Sequence, residues 1–214
     1  SDGANQGCEY IFPIRGIAFI KKTNVLVVIK IRYKLYKEVN PYLSAQQQVL
    51  YNRDIPVEEQ NHWLNASWED INDWRLLDNM ELAVEKIIKQ GVDNEKATVI
   101  LQDCDVDGIN STSILINYLG MVSPSFVKKC VTVAYHEGKQ HGLSDIMDEI
   151  PEETELIIIP DAGTNDTVYC KELAEKGIDI VILDHHESDI ENPYATIVNP
   201  QMCDYPNKSL VGAG

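Results

Sequence analysis

The chain has 214 residues, a formal net charge of -16 and a sequence pI of about 4.6. Its 44% hydrophobic and 24% charged residues are typical of a globular protein with one substantial domain or two small ones, which argues against extensive disorder. The acidity argues against a broad basic nucleic-acid surface, although cations bound by clustered acids would reverse the local field.

The cysteines and the hydropathy pattern bear on the compartment. There are five cysteines, an odd number without a CxxC pair, which favours neither a disulfide framework nor a zinc ribbon. No apolar run approaches the roughly 20 residues of a membrane span, and Val25–Ile29 is too short. The N-terminus also lacks the pattern of a signal peptide. We therefore expect a cytoplasmic protein without a membrane partner.

Composition predicts three segments. Residues 1–40 form an N-terminal extension of uncertain structure, residues 41–96 a helical lead-in, and residues 97–214 an α/β domain. Within the lead-in, apolar residues at helical spacing predict a helix from Asp73 to Gln90, and Gly91 is a plausible C-cap for it.

After Thr98, short apolar runs alternate with helical stretches. The predicted strands are Val99–Leu101, Val131–Ala134, Leu156–Ile159, Ile180–Leu183 and Thr196–Val198. The predicted helices between them are Asn110–Tyr118, Ser144–Ile150 and Thr167–Lys176. This alternation predicts an α/β fold with a mostly parallel, Rossmann-like sheet and helices on both faces. Ligands bind such sheets outside the carboxyl ends of the strands.

Three acids follow the first predicted strand at alternate positions: Asp103, Asp105 and Asp107, with Gly108 next. Carboxylates this close repel one another, and bound cations would relieve the repulsion. An EF-hand loop also begins DxDxDG, but its twelfth position requires an acid and here holds Ile114. A set of solvated turn acids is the other alternative.

Two neighbouring segments could contact a phosphate. Asn110 and Ser111 are expected at the N-terminus of the next helix, where backbone N–H groups can receive a phosphate oxygen. The stretch from His136 to Leu143 follows the second predicted strand and includes His141. It fits a phosphate-binding loop and a solvated loop equally well.

Two more motifs follow buried strands. Asp161 comes after the third predicted strand, and Asp184-His185-His186 comes after the fourth. One carboxylate at the centre of a split site could bridge two cations, while Asp184 could orient a neighbouring imidazole. Mixed carboxylate and imidazole ligands favour Mn²⁺, or Mg²⁺ with more water. Two such ions, about 4 Å apart, could activate a water for in-line attack on a phosphodiester.

DxDxDG, a strand-end Asp and Asp-His-His in this order resemble the DHH phosphoesterase family, and within it the RecJ type. Leu50-Tyr-Asn-Arg53-Asp-Ile55 looks like a RecJ segment, and Ser209–Gly214 looks like the glycine-rich fourth motif of the family. Asp54 departs from the glycine that RecJ has at its position.

The resemblance implies roles for individual residues. One metal ion would be held by Asp103, Asp105 and Asp161, and the other by Asp107, Asp161 and His185. His186 would contact the scissile phosphate. The catalytic residues would be Asp105, Asp107, Asp161, His185 and His186, and the substrate contacts His186, Asn110, Ser111 and His141.

The implied function is 5′→3′ exonucleolytic cleavage of single-stranded DNA with two Mn²⁺ or Mg²⁺ ions. Two alternatives are a small-substrate DHH phosphodiesterase, acting on oligonucleotides or cyclic dinucleotides, and a non-catalytic adaptor. The family also has a further metal-binding Asp and a DHH-associated domain after the fourth motif. Neither lies before Gly214, so we expect the catalytic N-terminal part of such an enzyme.

Overall fold

The computed structural model describes residues 37, 39–136, 142–188 and 190–214. Most of the predicted extension over residues 1–40, namely residues 1–36 and 38, lies outside the described residues, as does His141. The chain forms two compact units, Ser1–Asp70 and Ile71–Gly214, each described by itself below.

The described part of the first unit consists of short helices, as its sequence predicts. Helix α1 spans Ala45–Asn52 and helix α2 spans Val57–Leu64, with a 3₁₀ turn at Trp68–Asp70. A capping box begins α1: the hydroxyl of Ser44 accepts from the Gln47 N–H at 3.2 Å, and the Gln47 side chain accepts from the Ser44 N–H at 3.0 Å.

The second unit is built on a five-stranded parallel sheet. Its strands are β1 (Thr98–Gln102), β2 (Val131–Tyr135), β3 (Leu156–Pro160), β4 (Asp179–Leu183) and β5 (Thr196–Val198). They lie in the order β2-β1-β3-β4-β5, and every pair is parallel. The predicted α/β fold is confirmed, and each predicted strand is present with at most one residue more at either end.

The helix predicted from Asp73 is shorter at its start and longer at its end. Helix α3 spans Met80–Glu85 and continues as a π-helical segment over Lys86–Val92. Gly91 therefore lies inside the helix, and the prediction of a C-cap is wrong. A Cβ at Gly91 would lie only 2.9 Å from Cδ2 of Leu156, so this glycine lets the helix pack against the sheet.

The remaining elements are helices α4 (Val106–Val122), α5 (Pro124–Cys130) and α6 (Thr167–Glu175), with 3₁₀ turns at Trp74–Leu76 and Met147–Glu149. Helix α5 was not expected. The helix predicted over Ser144–Ile150 is wrong, because only the turn at Met147–Glu149 forms there. Pro151 disfavours helical geometry at Ile150, and so short a run gains little from helix propagation.

Both faces of the sheet are covered, which explains the continuous apolar strands. Ile100 and Ile158 belong to one buried cluster together with residues of α3, α4 and α5. Leu101 and Ile159 belong to the other, together with residues of α6 and the segment before β3. Among the described residues, no helix is long and apolar enough to cross a membrane. The carboxyl ends of β1, β3 and β4 lie side by side and carry the three acidic motifs.

Candidate active site

The first acidic motif forms the junction between β1 and α4. Asp105 is the N-cap of α4, and its Oδ1 accepts from the N–H groups of Asp107 and Gly108, both at 2.9 Å. Gly108 packs directly on the strand end, since a Cβ there would lie 2.5 Å from the Cβ of Asp103. Gly108 therefore allows a close helix-to-strand contact, which holds the three acids together.

The second acidic motif places Asp161 in the protein interior, directly after β3. It follows β3 in the left-handed region (φ +72°), and its N–H donates to the carbonyl of Leu183 at 2.7 Å. Its side chain is 1% exposed, and neither carboxylate oxygen has a hydrogen-bond partner among the described residues, although Nε2 of His185 lies 3.1 Å from Oδ1. Burial, reinforced by the charges of Asp107 and Asp105, raises the pKa of Asp161 to about 7.

Asp184 organises the two histidines that follow it. Its Oδ1 accepts from the N–H groups of His185 (2.7 Å) and His186 (3.2 Å) and lies 2.7 Å from Nδ1 of His186. Its Oδ2 accepts from the N–H (3.1 Å) and the hydroxyl (2.6 Å) of Thr164. The amide of Asn199 in turn donates to the hydroxyl of Thr164 and the carbonyl of His186. Asp184 therefore orients His186, as its sequence position indicates.

These hydrogen bonds also set the protonation of the pair. Burial alone would raise the pKa of Asp184, but the hydrogen bonds from Thr164 and His186 outweigh it and hold the pKa below its usual value. Burial would lower the pKa of His186, but the hydrogen bond and charge of Asp184 outweigh it and raise that pKa. A carboxylate next to an imidazolium is therefore favoured.

Two groups of side chains could each hold a metal ion. One consists of Asp103, Asp105 and Asp161, and the other of Asp161, His185 and His186, with the ligand atoms of each group within 4.8 Å of one another. The first is the set that the family resemblance implies. The second contains His186 where Asp107 is expected. Asp161 is common to both groups, as a bridging carboxylate would be.

Asp107 lies beside the second group but is held by the glycine-rich fourth motif. Its two carboxylate oxygens accept from the N–H groups of Gly212 and Ala213, both at 2.9 Å. Its Oδ2 also lies 3.4 Å from Nε2 of His185. A Cβ at Gly212 would overlap the carboxylate of Asp161, so only glycine fits there. Residues far apart in the sequence therefore meet at the acids.

The two residues of α4 that were predicted to contact a phosphate do not lie at the N-terminus of the helix. Because α4 begins at Val106, Asn110 is an exposed residue of the second turn and is not at the N-terminus. Ser111 is buried, and its hydroxyl donates to main-chain carbonyls of the preceding turn at 2.6 and 3.3 Å. Asp105 already binds N–H groups of the first turn. The roles of Asn110, Ser111 and His141 stay predictions.

The stretch after β2 contributes a histidine that was not assigned to the site. His136 is buried, with Nδ1 3.3 Å from Oδ1 of Asp103 and Nε2 2.7 Å from the carbonyl of Gly142. Its position directly after a strand was the available signal, since Asp103, Asp161 and Asp184 share it. Residues 137–141 lie outside the described residues, so the two roles considered for the stretch stay predictions.

A cleft of about 430 Å³ opens beside His186. Its lining residues are Gly142, Ala162, Gly163, Thr164, Asn165, Asp166, Asp184, His186 and Glu187. Burial raises the pKa of Asp166 even though its carboxylate accepts from the N–H of Leu143 at 2.7 Å. The cleft gives a ligand access to His186.

Comparison with known proteins assigns the family. Residues 97–212 match the DHH family, N-terminal domain. The chain is 32% identical over 183 residues to the putative SPbeta prophage-derived single-strand DNA-specific exonuclease YorK of Bacillus subtilis (strain 168), covering 85% of this chain and 30% of that protein. It is 28% identical over 197 residues to the single-stranded-DNA-specific exonuclease RecJ of Dickeya dadantii (strain 3937), covering 89% and 33%. The chain thus spans about a third of the length of these relatives.

Solved structures show the same fold. The crystal structure of exonuclease RecJ bound to manganese has a TM-score of 0.56 and 23% identity, covering 64% of this chain and 35% of that one. RecJ in complex with Mn²⁺ from Thermus thermophilus has a TM-score of 0.57 and 20% identity, covering 79% and 23%. Because the family match spans more than half of the residues, and includes all three acidic motifs, the chain belongs to the DHH family.

Proposed function

We propose that this chain is the metal-binding part of a Mn²⁺-dependent phosphodiesterase that releases nucleotides from the 5′ end of single-stranded DNA. The environment of Asp161 carries the proposal. A buried carboxylate that has no hydrogen-bond partner among the described residues, and that lies beside further acids, is costly without a cation. Asp161 is also shared by both potential ligand groups, as a carboxylate that bridges two ions requires.

The donor set fits the proposed metal. Carboxylate oxygens and imidazole nitrogens suit Mn²⁺, and the cysteine of the first motif, Cys104, is not needed as a ligand. Asp103, Asp105 and Asp161 would hold one ion, and Asp161 and His185, with Asp107, the other. When bound, the ions would supply an activated water and neutralise phosphoryl oxygens.

His186 is suited to bind the scissile phosphate. Its Nδ1 is bound by Asp184, so Nε2 is the nitrogen left for a ligand. The raised pKa of His186 favours the protonated ring, which can donate to a phosphate oxygen. Asp184 would act through His186 by fixing its orientation.

The proposed substrate, polarity and context come from the relatives. The names of the relatives describe single-strand-specific exonucleases, and two solved RecJ structures with the same fold contain manganese. The 5′→3′ polarity rests on the RecJ resemblance. We propose that residues 97–214 are the DHH domain, preceded by a lead-in, and that a DHH-associated domain beyond them helps to hold DNA. A cytoplasmic location accords with this role.

The test is Mn²⁺-dependent release of nucleotides from 5′-labelled single-stranded DNA. We expect Asp107→Ala to abolish release, and Asp148→Ala, an exposed acid outside the three acidic motifs, to leave it unchanged. Release that is independent of Mn²⁺, or that survives Asp107→Ala, would contradict the proposal. If the chain binds Mn²⁺ without releasing nucleotides, the assay is repeated with the C-terminal portion restored, and failure there refutes the exonuclease.

A dinucleotide assayed in parallel separates the exonuclease from a small-substrate phosphodiesterase. The exonuclease should cleave the long strand faster, because more of the strand is bound. Equal or faster cleavage of the dinucleotide would favour the small-substrate enzyme instead. An adaptor would bind no Mn²⁺ and would show no stabilisation by millimolar Mn²⁺ in thermal unfolding.

A further inference from the structure

The orientation of the His186 ring depends on its contact with Asp184. The side chain of His186 is 51% exposed, so packing alone leaves the ring free to turn, whereas the side chain of Asp184 is 1% exposed. Nδ1 of His186 lies 2.7 Å from Oδ1 of Asp184. A carboxylate can only accept, so Nδ1 carries a hydrogen and donates it. The direction in which Nε2 points therefore depends on how firmly the carboxylate is held.

The second oxygen of Asp184 is held by a hydroxyl from another part of the chain. Oδ2 accepts from the hydroxyl of Thr164, in the loop after β3, at 2.6 Å. The same hydroxyl oxygen lies 3.1 Å from Nδ2 of Asn199, which follows β5. An amide nitrogen can only donate, so the hydroxyl accepts from Asn199 and its single hydrogen goes to Asp184.

The orientation of the Asn199 amide is fixed in the same way. Its Oδ1 accepts from the N–H of Gln201 at 2.9 Å, and its Nδ2 also donates to the carbonyl of His186 at 2.9 Å. A main-chain N–H can only donate and a carbonyl can only accept, so these contacts exclude the flipped amide. Asn199 is buried, and it holds the main chain of His186 directly and the ring through two further side chains.

We propose that Asn199 and Thr164 are positioning residues for His186. Their hydrogen bonds run from the end of β5, through the loop after β3, to the carboxylate of Asp184, and they fix the direction of Nε2. The inference rests on the proposed function, in which Nε2 binds the scissile phosphate. The chain of hydrogen bonds also separates Asp184 from Asp161, whose oxygens have no hydrogen-bond partner among the described residues. Asp184 serves the histidine, and Asp161 is left for a cation.

Two substitutions of Thr164 separate positioning from packing. Thr164→Val keeps the shape of the buried side chain and removes the hydroxyl, whereas Thr164→Ser keeps the hydroxyl and removes a methyl group. If the hydroxyl positions His186, the valine variant is the more impaired of the two. If Thr164 only fills space, a folded variant of either kind leaves the ring of His186 as it is.

The first measurement is the NMR signal of the Nδ1 hydrogen of His186 in the metal-free 214-residue chain. A ring hydrogen bonded to a carboxylate resonates at high frequency, and its absence from His186→Ala identifies it. We expect Thr164→Ser to keep the signal and Thr164→Val to shift or lose it. Thr132→Val, the same change at an exposed threonine of β2, should leave it unchanged.

The second measurement is nucleotide release from single-stranded DNA, with kcat and KM determined separately. Thr164→Val and Asn199→Ala should lower kcat by about 10-fold to 100-fold with KM nearly unchanged, because the contact to the phosphate is needed most in the transition state. Thr164→Ser should retain most of kcat. Mn²⁺ affinity should be nearly unchanged, since the two residues act on His186 and not on the proposed metal ligands.

Thermal unfolding of the metal-free protein shows whether each variant folds. If Thr164→Val does not fold, Thr164→Ala replaces it, since alanine and serine differ only by the hydroxyl oxygen. Equal effects of the serine variant and the variant without a hydroxyl would overturn the proposal, as would a normal ring signal and a normal kcat without the hydroxyl. Absence of nucleotide release by the unaltered protein would refute the proposed function, whereas the ring signal would still decide whether the hydroxyl positions His186.

Discussion

Asp161 follows the carboxyl end of β3, whereas Asp179 lies at the amino end of the neighbouring strand β4. The two acids are therefore at opposite ends of the strands, and their surroundings differ completely. Asp179 pairs with Lys96 at 2.8 Å and with Lys86 at 3.4 Å. Burial would raise its pKa, but these lysines outweigh burial and lower it. Asp161 has acids as neighbours, and its pKa is raised to about 7. At the amino end of β4 the protein supplies its own cations, whereas the acids at the carboxyl ends could be neutralised by cations from solution.

The largest expected effect comes from removing the charge of Asp161. Asp161→Asn keeps the size of the side chain, and asparagine tolerates the positive φ better than alanine does. We expect Mn²⁺ affinity to fall by more than about 100-fold, since both ligand groups lose their common carboxylate. The metal-free protein should become more stable at pH 8, because a buried repelled charge is removed.

Calorimetry with Mn²⁺ and thermal unfolding in metal-free buffer check the two halves of this prediction. Asp148→Asn is the matched control, since this acid is exposed and should alter neither quantity. Retention of two ions by Asp161→Asn would show that Asp161 does not bridge them.

His185 and Asp184 should differ in what they contribute. His185→Ala removes a ligand atom next to Asp161 and should weaken Mn²⁺ binding by about 10-fold to 100-fold. Asp184→Asn should weaken it less but destabilise the fold by about 2 kcal/mol, since an amide nitrogen would then face donors from Thr164 or His186. Calorimetry and urea unfolding measure both quantities. Equal losses of Mn²⁺ affinity would place Asp184 among the metal ligands.

The strand-end acids were predictable from sequence because their positions depend on local patterns. Runs such as Leu156–Pro160 are apolar throughout, and parallel strands bring their carboxyl ends to one edge. Contacts between distant segments were not predictable. The strand-end position of His136 indicates this side of the sheet but not its contact with Asp103. The Gly212 N–H on Asp107 depends on how a distant loop returns to the sheet, which no local pattern specifies.

The same distinction explains the errors. Gly91 has the sequence context of a C-cap but meets Leu156 in the core. Ser111 has the context of a helix N-terminus, but α4 begins a turn earlier because Asp105 caps it. In both cases a tertiary contact or a side-chain cap outweighed the local preference.

The pH dependence of stability should differ between the metal-free and the Mn²⁺-bound protein. The folded pKa of Asp161, about 7, exceeds the value of about 3.9 expected for an unfolded chain. The folded state therefore binds this proton more tightly, so the contribution to the unfolding free energy is fully present below about pH 4 and is lost as the pH rises to about 7. Mn²⁺ should oppose this loss, because it replaces the proton.

Urea unfolding at a series of pH values, compared with Asp161→Asn, isolates this group. The difference between the two proteins should grow in favour of the variant from about pH 4 to about pH 7 and then level off. A difference that is constant with pH would show that the carboxyl of Asp161 titrates normally in the folded state.

The smallest expected effect comes from Asp179, at the amino end of β4. Asp179→Asn removes the charge that Lys86 and Lys96 share, and it should lower the unfolding free energy by about 1 kcal/mol, as for other partly exposed ion pairs. Mn²⁺ affinity should be unchanged, since Asp179 lies at the amino end of β4 and the ligands lie beyond the carboxyl ends. The loss of stability should shrink at high salt, which screens the pairs. A fall in Mn²⁺ affinity would instead mean that the amino and carboxyl ends of the short strand β4 are coupled. The lysine pairs of Asp179 would then position His185 as well as stabilise the sheet.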